Sequence, residues 1–406
     1  METGFSFLTL RHKLERTPGR SSYTMSFQLS PALQAQPTPF YHYDLGLLDQ
    51  TLTALQQAAE PRNFLVHYAL KANANLPVLE RIKNRGLGAD CVSGGEVQRA
   101  LEAGFTPDHI VFAGVGKSDA EINLALAADI WCFNAESVEE LAVLDALAGA
   151  QNRKARVALR VNPNVDAYTH PHITTGLAAN KFGISLTDLP GVVAHLSSLP
   201  NLELVGLHAH IGSQITNLQV FAKLSERLNE LQTSLSDQGY NLPHLNVGGG
   251  LGINYEQPDE QAIPDFEGYF SMFERHLIRR PGQQVHVELG RALVAQCGTL
   301  ISKVLYVKQS QQTNFAILDA GMTELMRPAL YGSYHYIQNL SSHSAEQLYD
   351  VVGPICESSD TFRKGVLLPE TQRGDLVAIR SAGAYGEVMS SGYNLREKAA
   401  AVYVGE

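Results

Sequence analysis

The chain has 406 residues, 44% of them apolar and 18% charged, which is enough to bury one large core or two ordinary ones and excludes a disordered or fibrous protein. A net charge of −10, a pI near 5.8 and no basic patch beyond the first residues argue against a nucleic-acid partner. No run of roughly eighteen apolar residues offers a transmembrane helix, and Cys91, Cys132, Cys297 and Cys356, far apart and without Cys-x-x-Cys spacing, read as reduced thiols of a cytoplasmic protein.

In chain order, residues 1–24 carry Arg11, Lys13, Arg16 and Arg20 among several serines, as a transit peptide would, but Glu2 and Glu15 count against that. The segment is expected to be a disordered tail upstream of Met25, itself a candidate start. Residues 25–43 are expected to lend a strand to a second domain. Apolar, β-branched runs then predict strands at Phe64–Leu70, Leu87–Cys91, Ile110–Ala113, Ile130–Phe133, Arg156–Val161, Leu204–His208, Leu245–Val247 and Val285–Leu289. Helical segments are expected between them at Leu76–Arg85, Gly95–Ala103, Ser118–Ala127, Ser137–Leu147, Leu186–Ser198, Val220–Gln238 and Phe266–Ile278. Strand then helix, eight times over about 230 residues, predicts an α/β domain, a parallel (β/α)8 TIM-type barrel over 44–292. Beyond 292, runs at Leu300–Val307, Phe315–Asp319, Tyr349–Val352, Asp375–Arg380 and Ala401–Val404 are separated by turn-rich segments. They predict a C-terminal β-rich, barrel-like domain over 293–406, joined by 25–43.

Chemistry in such barrels collects where strands end, because the loops there surround one mouth. The polar residues obey this rule: Lys71, Asp90, Arg160, His208, His210, Gly248 to Gly250 and Glu288 all fall at or near expected strand ends. Lys71 in His-Tyr-Ala-Leu-Lys-Ala-Asn follows a buried run, where an ammonium is costly unless its burial has a use. A lysine desolvated near other cations has a lowered pKa, and its neutral amine can form a Schiff base with an aldehyde. Gly248-Gly249-Gly250-Leu251-Gly252 allows close backbone approach and an anion nest, or simply a tight turn at the mouth; it lacks the Lys-Ser/Thr of a P-loop. Ser213 after strand six, and Gly290 with Arg291 after strand eight, put three adjacent loops in reach of one phosphate. If the aldehyde is pyridoxal phosphate, Glu288 is placed to keep the pyridine nitrogen protonated and His210 to lie flat on the ring. His208 and His210 share a face and also fit zinc, but the further histidines and aspartate of metal-dependent barrels are not found. Lys71 alone would read as a snorkelling lysine.

Seven ordered stretches carry a resemblance: HYALKANAN with Lys71, GLHAHIGSQ (206–214), NVGGGLG (246–252), ELGR (288–291), MRPALYGSYH (326–335), GPICESSD (353–360) and SAGAYG (381–386). Together they resemble the diaminopimelate decarboxylase family, one of the barrel-type pyridoxal-phosphate decarboxylases. The resemblance implies a homodimeric, lysine-forming decarboxylase of meso-2,6-diaminopimelate with pyridoxal phosphate as cofactor. It implies that Lys71 carries the cofactor, Glu288 pairs with the ring nitrogen and His210 stacks on the ring. Ser213, Gly249, Gly250, Gly290 and Arg291 would hold the phosphate, and Tyr385 would reach phosphate or substrate. Cys356 matches the proton donor and, with Glu357, is expected to come from the partner subunit, placing each site across a dimer interface. A substrate bearing both a carboxylate and an amine at its far end needs cations as well as an acid. Arg291 and Arg327 would bind that carboxylate with help from Tyr331, and Glu357 would take the ammonium. Leu289 stands where the family has proline, and Thr323-Glu324 where Asn-Asp is usual; neither removes a reacting group. The alternatives are a same-fold decarboxylase of a carboxylated polyamine precursor, ornithine or arginine, and an inactive homologue, which would lack Lys71, Glu288 or Cys356.

Overall fold

The computed structural model describes residues 27–166, 181–240 and 242–405, so the expected tail at 1–24 lies outside the described residues. A single helical turn, α1 (Pro31–Gln34), leads to β1 (Phe40–Asp44) and α2 (Leu45–Ala59). Eight parallel strands then close on themselves: β2 (Phe64–Ala69), β3 (Gly88–Cys91), β4 (Ile110–Phe112), β5 (Cys132–Ala135), β6 (Ala155–Arg160), β7 (Leu202–His208), β8 (His244–Asn246) and β9 (Gln284–Leu289). Closure is made by β9 beside β2, with Val285 opposite Phe64 and Leu289 opposite Tyr68. All eight expected strands are present. The fourth, expected at Ile130–Phe133 and observed as β5, is displaced by two residues, because Asn134 ends the apolar run in the sequence yet turns inward to a charged partner in the fold.

Seven crossover helices link the strands: α3 (Leu76–Asn84), α4 (Gly94–Glu102), α5 (Asp119–Ala128), α6 (Val138–Ala150), α7 (Leu189–His195), α8 (Gln219–Asp237) and α9 (Phe266–His276). The strand-then-helix count is corrected at the eighth position. Only the short α10 (Arg291–Val294) follows β9, and α2, which precedes the first barrel strand, packs against α9 and α3 instead. Its signal was in the sequence: Asp44 caps it by accepting the Leu47 N–H at 2.9 Å, and Leu45, Leu48, Leu52 and Leu55 form one buried stripe. Phe64 of β2 meets Phe270 of α9 at 4.9 Å between ring centroids, anchoring this side of the barrel.

Three loops at the mouth are set by one device. Ser93, Ser118 and Ser137 each accept the N–H of a glutamate three residues on, at the starts of α4, α5 and α6. Those glutamates reach back to the N–H groups of Val92, Ser118 and Glu136, which fixes the chain just after β3, β4 and β5.

The second domain holds β10 (Gly298–Gln309), β11 (Asn314–Leu318), α11 (Arg327–Tyr331), β12 (Ile337–Asn339), β13 (Glu346–Val352), β14 (Thr361–Pro369), β15 (Leu376–Ile379) and β16 (Ala400–Val404). Its sheet runs β12-β15-β10-β11-β13-β14, and β1 is inserted between β10 and β16, antiparallel to the first and parallel to the second. Two strands escaped the sequence: β12 is three residues long, and β14 exposes Arg363 and Lys364 around Gly365. No described helix is long and apolar enough to cross a membrane.

Nearer the amino ends of the barrel strands, three imidazoles form a chain. His67 Nε2 lies 2.9 Å from His286 Nδ1, and His286 Nε2 lies 3.0 Å from His244 Nδ1. His67 Nδ1 faces the His109 carbonyl at 3.3 Å, so each Nδ1 carries the proton and each Nε2 available to the chain accepts. Burial depresses all three, His67 to about 4, His286 to about 2, and His244 in the same direction. The unfolded chain then binds protons below its imidazole pKa of about 6.5 that the folded chain refuses, so stability falls with pH from about 6.5 towards 4. At pH 5 the cost is about 2 kcal/mol for each of His67 and His286. Asp90, Glu96, Glu324 and Asp360, whose carboxyls are raised by burial, act in the opposite sense, but His42, His210 and His335 are depressed along with the three of the chain. Thermal melts are expected to move down by several degrees between pH 7 and pH 5; an unchanged midpoint would mean that the buried imidazoles accept protons without penalty.

Candidate active site

β2 ends at Ala69, and the single 3-10 turn Leu70–Ala72 carries Lys71 over the barrel mouth. The turn is held from both sides: Tyr68 donates its hydroxyl to the Asn73 carbonyl at 2.8 Å, and the Asn73 amide donates to the Gly383 carbonyl at 3.0 Å. Lys71 lines a cavity of about 1210 Å³, together with Asp90, His210, Glu288, Arg327 and Tyr385. Its Nζ stands 3.8 Å from Asp90 Oδ2, and both Asp90 oxygens are buried without a hydrogen-bond partner.

Glu288 is the better-solvated acid of the pair. Its Oε1 accepts from the amides of Asn246 at 2.6 Å and Asn134 at 3.0 Å, and its Oε2 lies 3.0 Å from His208 Nε2. Burial works against its charge, but His208, His210 and Lys71 outweigh it and hold the carboxyl well below the usual carboxylate range. Asp90 has none of these donors; burial and the charge on Glu288 push its carboxyl up despite Lys71. With one ammonium between two buried acids, Glu288 keeps the negative charge and Asp90 is the acid that takes a proton.

The expected lowering of the Lys71 pKa is therefore corrected. Burial does disfavour the ammonium and Arg160 adds to this, but Asp90, Tyr385 and Glu288 reverse the sign and the pKa is raised. The cause is composition: the sequence shows the cations near Lys71, while Asp90 on the neighbouring strand is the closest charge.

His210 lies beyond the end of β7 and accepts the Gly249 N–H on Nδ1 at 3.2 Å, leaving the ring proton on Nε2. Burial, Lys71 and Arg160 keep its pKa well below the ordinary value, so the ring is flat and neutral. The glycine run is required sterically: a Cβ on Gly249 would sit 1.6 Å from the Glu288 carbonyl oxygen, and Gly250 has φ +102°. The expected nest of successive N–H groups is partly spent within the protein, since Gly248 N–H goes to Asn246 Oδ1 at 2.9 Å and Gly249 N–H to His210. Gly249 thus serves close passage, while Gly250, Ser213, Gly290 and Arg291 reach the cavity. Residues 215 and 251 form a parallel bridge that ties two of these loops, and Arg291 Nη2 donates to Ser213 Oγ at 2.9 Å, joining the third.

Tyr385 is a non-glycine residue with φ +56°, held by its N–H to the Ala72 carbonyl at 2.8 Å, and the Arg291 guanidinium lies 4.9 Å from its ring centroid. Arg327 opens α11, which places Tyr331 one turn later on the cavity wall. Both Arg291 and Arg327 are buried. Cys356 and Glu357 are exposed and lie outside the lining of this cavity, so the fold does not bring them to Lys71 within one chain. Among the described residues no group of three or more His, Cys, Asp or Glu is arranged to hold a metal ion.

Residues that sequence reasoning passed over complete the site. Asn134 and Asn246 hold Glu288, and their signal was an amide inside an otherwise apolar strand. Glu136 accepts from Arg160 at 2.7 Å and from the Gly114 and Gly183 N–H groups, joining the loops after β4, β5 and β6. Tyr255 and His335 contact the two arginines, and nothing in the sequence marks them beyond their nearness to the glycine run and to Arg327.

A family model described as "Pyridoxal-dependent decarboxylase, pyridoxal binding domain" matches residues 45–295. The diaminopimelate decarboxylase of Bacteroides thetaiotaomicron is 56% identical over 361 residues, covering 89% of this chain and 94% of that protein. The chain belongs to the diaminopimelate decarboxylase family. The family member from Vibrio cholerae is 44% identical over 368 residues, covering 90% of this chain and 87% of its own. The crystal structure of diaminopimelate decarboxylase from Helicobacter pylori complexed with L-lysine superposes with a TM-score of 0.87 at 41% identity, covering 92% of this chain and 93% of that one. The shared architecture is the closed parallel barrel followed by the separate, mostly sheet domain. As in the rest of this family the cofactor is pyridoxal phosphate, and the side chains present fit it. One amine, an anion held by three donors, a neutral flat ring and a cradle of glycine, serine and arginine converge on a single cavity.

Proposed function

We propose that the chain decarboxylates meso-2,6-diaminopimelate to L-lysine at this cavity. The observation that carries the reading is the pair of buried guanidinium groups, Arg291 and Arg327, in the same cavity as Lys71. A substrate ending in an ammonium alone has no use for them, whereas a far carboxylate does. Bound pyridoxal phosphate supplies an electron sink for the pair left behind when carbon dioxide departs. Lys71 would hold the cofactor, and Asp90, 3.8 Å from its Nζ, is the neighbouring group with which that nitrogen would exchange protons. Glu288 keeps a negative charge that would face the ring nitrogen, and His210 would support the ring face. Ser213, Gly250, Gly290 and Arg291, which line the cavity, would hold the phosphate. Arg327 and Tyr331 take the far carboxylate with Arg291, and Tyr385 contacts phosphate or substrate.

The protein works as a homodimer with shared sites. Cys356 of the partner subunit gives a proton to the substrate Cα, and Glu357 of the partner subunit takes the far ammonium. The exposure of both residues on their own subunit supports this, since the cavity otherwise lacks a thiol. In this reading residues 44–292 bind the cofactor, while 25–43 and 293–406 close the site and carry the dimer contact. All four cysteines are unpaired, which supports a reducing compartment, the cytoplasm. Carbon dioxide release from meso-diaminopimelate, ornithine and arginine decides the substrate. The expected order puts diaminopimelate first by about a hundredfold or more in kcat/KM, the scale of a lost bidentate charge contact; a preference for ornithine or arginine would sink the two-arginine reading.

A further inference from the structure

Tyr255 stands where two positive charges meet. Its phenol oxygen accepts from Arg291 Nη1 at 2.5 Å and from Arg327 Nη1 at 2.9 Å, and it lines the cavity. The other partners of these guanidiniums are neutral as well. Arg291 donates to Ser213 Oγ, and Arg327 Nη1 lies 3.1 Å from His335 Nε2. His335 is fixed in that role, since its Nδ1 faces the Arg380 carbonyl at 2.9 Å and so carries the proton. Arg327 Nε is buried with no hydrogen-bond partner. Two buried cations with neutral ligands and a spare donor form a site that awaits an anion.

A phenol has two lone pairs and one proton. Both lone pairs of Tyr255 face guanidinium donors, which leaves the O–H to give. We propose that Tyr255 is a specificity-determining residue for substrates with a far carboxylate: its oxygen holds Arg291 and Arg327 as one unit, and its O–H is a further donor to that carboxylate. The inference rests on the proposed function, because it presupposes that the two arginines bind substrate. It also makes recognition sensitive to alkali. Burial opposes ionisation of the phenol, but Arg291 and Arg327 outweigh burial and bring the pKa below its ordinary value. Loss of that proton removes a donor and places a negative charge beside the incoming carboxylate.

The test compares Tyr255→Phe with the wild-type holoenzyme. KM for meso-diaminopimelate is expected to rise by about tenfold to a hundredfold, with kcat held within about threefold. Inhibition by L-lysine, which keeps the far carboxylate, is expected to weaken by the same factor. The wild type is expected to lose affinity for both on the alkaline side, and the phenylalanine variant to lack that arm. The pH arm is read on unmodified enzyme, so poor folding of the variant does not remove the test. An unchanged KM and L-lysine inhibition in Tyr255→Phe, or an alkaline arm that survives in it, would overturn the inference. Wild-type enzyme that releases no carbon dioxide from diaminopimelate would overturn the proposed function instead.

Discussion

Lys71→Ala is expected to lower carbon dioxide release by roughly a thousandfold or more, the scale on which enzymes respond to loss of a group that bonds to the reacting partner. Nothing near it can substitute. The groups that line the same wall are Asp90, Glu288 and Arg160, none of which is an amine. The variant is nevertheless expected to fold. Removing the ammonium would strand a buried carboxylate if Asp90 had to stay charged, but its carboxyl is already pushed up by burial and by Glu288, and it goes neutral when its cation is removed. The measurement is borohydride reduction of the loaded wild type followed by peptide mapping, alongside turnover and a thermal melt of the variant. Label on residue 71 of the wild type, none in the variant and similar melts bear the reading out. Label on another lysine would end it.

The second large effect concerns Cys356. Cys356→Ala alone is expected to lower turnover by about a hundredfold to ten-thousandfold, as for removal of a positioned proton donor. Its more telling form is a mixture. Lys71→Ala and Cys356→Ala chains are each nearly inactive, yet subunit exchange between them gives dimers in which one site has lost both groups and the other has lost neither. After random reassortment about one quarter of wild-type activity is expected, since about half the dimers are mixed and each carries one intact site. If a site were built from a single chain, mixing would restore nothing. The exposure of Cys356 and Glu357, outside the cavity that holds Lys71, is what makes the two outcomes so different.

How far the fold could be read from the sequence varied with the physics of each element. Barrel strands were legible because residues buried on both faces leave short apolar runs, unbroken in Ile110–Phe112 and interrupted only by inward polar residues in Val285–Leu289. β14 was not, because only one of its faces is covered, and its charges break the pattern. In the site, residues that must be special in themselves stood out: an inward lysine, a glycine run and an arginine after a strand. Residues that matter by position did not. Asp90 is marked only as a polar residue at a strand end until β2 and β3 set it beside Lys71, and Tyr255 is an ordinary aromatic until two arginines from distant segments converge on it. The sign of the Lys71 shift went wrong for the same reason, since a string of letters gives no distance between strands.

The placement of β1 bears on how the molecule is made. A strand from residues 40–44 is clasped between one that begins at residue 298 and another that ends at residue 404, so both of its neighbours are synthesised long after it. The barrel can assemble during translation, but Tyr41 and Tyr43, both fully covered in the finished protein, must wait with their backbone unpaired until β10 and β16 arrive. The closing stitch joins segments that flank the barrel in the sequence, and a nascent chain halted before β16 would hold a formed barrel with a frayed β-sheet beside it.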